Sequence, residues 1–133
     1  MQYRTVRHHL KRNEIIITFL FFIVATAIYT FPLITAPHLA NRLDSPDGLL
    51  NSWILSWNLH QITEDPLNLF DTNIFFPEEN TLAYSENLIT AALLAAPIAT
   101  ITDNPIALFN SVLFFGFALT GLSTFVLAFD LSG

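Results

Sequence analysis

The chain has 133 residues, one domain at most, and is 53% hydrophobic with only 12% charged residues. A typical soluble domain carries about 25% charged residues, so this composition excludes intrinsic disorder and argues against an ordinary water-soluble globule. A net charge of −6, 13 phenylalanines and no cysteine exclude a disulfide scaffold and a thiol nucleophile, and point to a membrane protein.

Four of the five basic residues, Arg4, Arg7, Lys11 and Arg12, fall in the first 14 positions against one acid, Glu14. This basic tail, residues 1–14, precedes an uncharged run of 20 residues over 15–34. At about 1.5 Å per residue the run is long enough to cross a hydrocarbon core of about 30 Å. A cleaved signal peptide has an apolar core of about 7–15 residues ending in small side chains. Here the end carries Tyr29, Phe31 and Pro32. A retained signal-anchor helix is expected, with the tail in the cytoplasm.

Residues 35–104 hold nine acids and one base, Arg42, a net charge of −8. The asymmetry is a topology signal, and without a basic patch beyond the tail it excludes a nucleic-acid partner. This acidic stretch is expected to be an extracytoplasmic loop with two amphipathic helices. The first, 48–62, places Leu50, Trp53, Ile54 and Trp57 at helical spacing, with Ser45 as N-cap and Pro46 as first helical residue. Its tryptophans suit either the headgroup layer or packing on protein. Glu64-Asp65-Pro66 and Phe76-Pro77-Glu78-Glu79-Asn80 mark turns, with an ordered loop between them.

The second helix, 86–101, takes Ser85 and Glu86 as its start. Its 14-residue apolar stretch from Leu88 to Ile101, interrupted by Pro97, is short for a crossing. An interfacial helix is preferred to a short third transmembrane helix, which stays open. Asn104 before Pro105 is an N-cap followed by proline at the first helical position. A second uncharged run of 25 residues follows over 105–129. Gly116 and Gly121 do not match the G-x-x-x-G spacing, so no dimerisation face is read from them. Residues 130–133 are expected to be a truncated end. The expected fold is thus an all-α membrane protein with two transmembrane helices, or three if 88–101 crosses, joined by the long acidic loop.

Dinucleotide, P-loop, serine-hydrolase and zinc-protease motifs are absent, and His38 and His60 have no second ligand at metal spacing. What remains is carboxylates beyond the first membrane helix. Asp47, in Asp44-Ser45-Pro46-Asp47-Gly48, is the sharpest, because a carboxylate at the water–membrane boundary can take a proton from a hydroxyl acceptor. An acid in a helix's first turn is equally favoured by the macrodipole with no catalytic role.

The strings Pro46-Asp47-Gly48-Leu49-Leu50-Asn51-Ser52-Trp53, Asn73-Ile74-Phe75-Phe76-Pro77 and Thr81-Leu82-Ala83-Tyr84-Ser85-Glu86 resemble the first extracytoplasmic loop of GT-C-type integral-membrane glycosyltransferases. Protein O-mannosyltransferases and the lipid A aminoarabinose transferase belong to that type, as do uncharacterised bacterial members. The resemblance covers nearly all of this chain but only the start of the family's architecture, whose later membrane helices would be the missing partners of the same protein. It implies a bacterial plasma-membrane enzyme that moves a sugar from a polyprenyl-phosphate donor to an extracytoplasmic acceptor. Asp47 takes the position of the presumed base, Glu86 and Asp44 are assigned to substrate contact, and a divalent cation is left open. The fragment alone would be inactive. The other reading is a small non-enzymatic membrane protein whose acidic loop docks a partner.

The charge asymmetry predicts that a cysteine placed at Asn68 reacts with an impermeant maleimide added from the extracytoplasmic side. Labelling from the cytoplasmic side alone would reverse the topology.

Overall fold

The computed structural model describes residues 10–38 and 46–132. Arg4, Arg7, Arg42, Asp44 and the expected cap Ser45 lie outside the described residues. Within them all regular structure is helical: α1 (Arg12–Tyr29), α2 (Pro46–Glu64), α3 (Ile89–Ala99) and α4 (Pro105–Ser132), with short 3₁₀ turns at Pro66–Asn68 and Thr81–Tyr84. Helices α1 and α4 are long and apolar enough to cross a membrane, and the most apolar 18-residue window of each is only 6% buried. The chain forms two compact units, Met1–Phe31 with Leu113–Gly133, and Pro32–Val112.

In the first unit, α1 starts three residues earlier than the uncharged run. The Glu14 carboxylate accepts the Lys11 N–H at 2.8 Å, closing the first turn where the macrodipole favours an acid. The helix stops at Tyr29, well before Ile34, because Pro32 lacks an N–H and disfavours helical backbone at Phe31. Thr30 donates its N–H and its hydroxyl to the Thr26 carbonyl at 2.8 and 2.7 Å. Pro32–Ala36 then form a separate turn, with Thr35 and Ala36 N–H groups donating to the Pro32 carbonyl.

Helices α1 and α4 meet at several points. A Cβ on Gly121 would overlap the Phe22 ring, so this glycine is a notch that accepts the ring. Tyr29 and Phe117 pack edge to face at 5.7 Å. Leu10, just ahead of α1, shares a cleft with Leu122, Val126 and Phe129. Partners therefore run backward along α4 as they run forward along α1, and the two helices are antiparallel. The seam uses small side chains, Gly121 and fully buried Ala118, beside Thr26, as membrane helices do for close approach.

In the second unit, the start of α4 follows the local sequence. The Asn104 Oδ1 accepts the Ala107 N–H at 3.0 Å, and Pro105 is the first helical residue. One turn later, Asn110 Nδ2 donates to the Pro37 carbonyl at 2.7 Å, tying the turn after α1 to α4. Helix α2 packs on α3 and on the Pro66–Asn68 turn. Its buried stripe is Gly48, Ser52, Leu55 and Asn58 with Ile54 and Gln61, rotated from the expected Leu50–Trp53–Ile54–Trp57 face. Leu50 is 42% exposed and the tryptophans are half-buried. Glycine and serine permit close packing, and Ser52 satisfies its hydroxyl on the Gly48 carbonyl at 2.8 Å.

Helix α3 begins at Ile89, whose N–H donates to Asn87 Oδ1 at 2.9 Å. Asn87 therefore supplies the start, and Ser85 and Glu86 precede the helix in non-helical backbone. Ala92 and Ala95 form its buried face, and Pro97 sits in its last turn.

Gly121→Ala is expected to destabilise the α1–α4 pair by about 1–3 kcal/mol, the usual overpacking effect. Phe22→Ala in the same chain should recover most of that loss. Thermal unfolding of the single and double variants in micelles reads both, and additive losses would show that the two residues do not meet.

Candidate functional site

The first turn of α2 carries Asp47, exposed, directly after Pro46. Three and seven residues further on, Leu50 and Ile54 share its helical face. Both line a cavity of about 230 Å³, together with Trp53. The opposite wall comes from the segment after α2: Ile74, Phe75, Leu82 and Tyr84, with the hydroxyl residues Thr81 and Ser85. Glu86 follows Ser85 directly and is exposed. Each of these two carboxylates adjoins a lining residue along the chain, Asp47 one helical turn before Leu50 and Glu86 next to Ser85. Asp44, the third, lies outside the described residues.

A hydrogen-bond frame holds the far wall against α2. Trp57 Nε1 donates to the Asp71 carbonyl at 3.0 Å, and Gln61 Nε2, one turn later, donates to the Asn68 carbonyl at 3.0 Å. The Asp71 carboxylate accepts the Asn80 N–H at 2.6 Å, and the Leu82 N–H donates to the Phe70 carbonyl at 3.0 Å. Thr72 and Thr81 hydrogen-bond through their hydroxyls, and Thr81 also donates to the Ile74 carbonyl at 3.3 Å. The Thr81 oxygen is therefore engaged by its own loop, which leaves the walls mainly hydrocarbon and aromatic.

Aromatic contacts continue along α2. Trp53 stacks on Trp57 at 5.8 Å and 24°, and Trp57 packs on His60 at 5.4 Å. Phe75 and Tyr84 face each other at 6.1 Å across the opposite wall. Chemically, the arrangement offers an apolar, aromatic-lined recess suited to an apolar or ring-shaped group.

Sequence spacing picked out Asp47, Leu50, Trp53 and Ile54 but missed the opposite wall, because residues 70–76 carry no clear period. Asp71 is the chief omission. It acts through a carbonyl and a carboxylate that fasten the loop, and the only local signal is its place in a turn-rich stretch. Asn58 was also missed. It is fully buried on α2, and its amide atoms have no partner among the described residues. Among the described residues no three His, Asp or Glu side chains gather where they could hold a metal ion.

Comparison with protein-family models, with curated proteins and with solved structures yields no match.

Trp57→Phe keeps the ring but removes the indole donor, so the Asp71 loop should loosen. A lost hydrogen bond of this kind is worth about 1 kcal/mol. Hydrogen exchange at the Asn80 and Leu82 amides should accelerate by roughly fivefold, while amides inside α4 stay unchanged.

Proposed function

We propose that this chain forms the first membrane helix, the first extracytoplasmic segment and the next membrane helix of a GT-C-type glycosyltransferase. The reaction moves a sugar from a polyprenyl-phosphate donor to a hydroxyl acceptor. The observation that carries the reading is Asp47: exposed in the first turn of α2, at the head of a face that lines an apolar cavity, within the string that resembles the family.

The topology follows from charge and helix register. Four basic residues in the first 14 positions support an N-terminus in the cytoplasm. An antiparallel α1–α4 pair supports a chain that leaves and returns, with residues 35–104 between the crossings on one side. If α3 alone crossed between them, α4 would run parallel to α1. At 11 residues, α3 spans only about 16 Å, half a hydrocarbon core. It lies along the surface, with Leu93 and Leu94 exposed.

The acceptor hydroxyl attacks the anomeric carbon of the donor sugar. Asp47 takes the hydroxyl proton as the new carbon–oxygen bond forms, and the bond from the sugar to the phosphate oxygen breaks, releasing polyprenyl phosphate. A boundary position matters because the donor's phosphate sits at the headgroup layer while the acceptor arrives from water. Glu86, next in the chain to the lining residue Ser85, contacts substrate and takes no part in proton transfer.

Asp47→Asn preserves size and helix-start hydrogen bonding but cannot accept the proton. In a chain carrying the remaining membrane helices it should lower transfer by about 10²–10⁴-fold at unchanged expression. Glu86→Gln and Asp44→Asn, at the two positions assigned to substrate contact, should raise KM with a smaller change in kcat. Near-normal transfer by Asp47→Asn would remove the base assignment and leave a first-turn acid that only complements the macrodipole.

A further inference from the structure

The segment between Asp71 and Thr81 ends in a rigid tip that presents aromatic rings to the outside. Phe76 is 94% exposed and Phe75 is 63% exposed. Phe75 has φ of 62°, a backbone region that bulky side chains rarely enter. The frame on α2 keeps both ends of the loop in place, and the Glu78 N–H closes its tip on the Phe75 carbonyl at 3.0 Å. Phe75 leans on Tyr84. A loop this constrained does not fold Phe76 inward when water surrounds it.

The chain around this loop identifies the occupant. It enters this unit at Pro32, three residues after α1 ends, and the first two turns of α4, Pro105–Val112, belong to the same unit. The unit is therefore joined at both ends by the chain itself to helices of membrane length and composition. Glu78 and Glu79 follow the tip directly and are exposed, the pattern of an apolar wedge with a solvated collar. The net charge of −8 over residues 35–104 disfavours anionic headgroups.

We infer that the Phe75–Phe76 loop is a lipid-inserting tip that enters the headgroup–acyl boundary of a zwitterionic phospholipid bilayer. It rests on the membrane-spanning part of the proposed function and is independent of sugar transfer. The tip gives the unit a second attachment to the bilayer besides its two covalent ends. That attachment holds α2, and Asp47 with it, at one depth.

The absence of cysteine makes a site-directed test clean. Nitroxide labels go singly onto Phe76→Cys, Glu79→Cys and Val24→Cys in the full chain, reconstituted in phosphatidylcholine vesicles. Val24 is an exposed α1 position and reports whether that helix is in lipid. Labels at 76 and 24 are expected to relax more with oxygen than with an aqueous nickel chelate, and the label at 79 the reverse. A nickel preference at 76 with oxygen preference retained at 24 overturns the inserting tip and leaves the membrane reading intact. Nickel preference at both sites overturns the two together. Shielding of 76 from both reagents means that protein covers it, a second copy or a partner, and also overturns the lipid assignment. A further arm keeps both rings and labels Asn73→Cys, an exposed position on the same loop. Its oxygen accessibility should fall when Phe76→Ser is added, and an unchanged value overturns the role of the ring.

Discussion

Helices α1 and α4 are apolar and have little protein cover in this chain, and by length and composition both could span a membrane. Ile17, Leu20, Phe21, Val24 and Ile28 are more than half exposed on α1, as are Leu127 and Leu131 near the end of α4. Removing one such side chain from water is worth about 1.5–3 kcal/mol, so several together match the whole stability of a domain, about 5–15 kcal/mol. In hydrocarbon the backbone must also satisfy itself, which helices do. The hydroxyls on these helices obey the same constraint. Ser111 donates to the Ala107 carbonyl at 2.7 Å and Thr124 to the Thr120 carbonyl at 2.8 Å, each one turn back along its own helix.

The other unit solves a different problem, since its residues are acidic and Pro-punctuated. Helix α2 is its spine. One face is narrow, with glycine, serine and asparagine, and packs closely where side-chain bulk would hold other elements away. Its tryptophan side carries hydrogen-bond donors. Trp57 and Gln61 hold the Asp71 and Asn68 carbonyls of the following segment, so a stretch without α-helix or strand becomes a wall. The cavity exists because that wall is held off α2 at Trp53 and Leu50 and not collapsed onto it.

Asp47 gains its significance from this arrangement. By position it is an acid at a helix start, which the macrodipole explains without reference to chemistry. What the fold adds is that Leu50 and Ile54, on the same helical face, line an apolar recess.

Much was legible from local chemistry. The two long helices follow from uncharged runs and the start of α4 from Asn104-Pro105, because each depends on nearby residues, whereas the first run was read through to residue 34 and α1 stops at Tyr29. At α3 the start signals Ser85 and Glu86 misled, and Asn87 accepts the Ile89 N–H instead. The face that α2 buries was not legible. Tryptophans are the most apolar-looking residues on it, yet close contact with α3 demands small ones, and that demand comes from a partner about 30 residues away. The Phe22–Gly121 notch and the Asn110–Pro37 bond lie beyond any local window for the same reason. By itself the sequence determined where helices run and which of them call for an apolar solvent, since hydropathy and capping act over a few residues. Tertiary structure alone decided which faces meet, how the Asp71 loop closes a cavity and where Asp47 stands beside it, because those depend on the shapes of side chains that the chain brings together only when it folds.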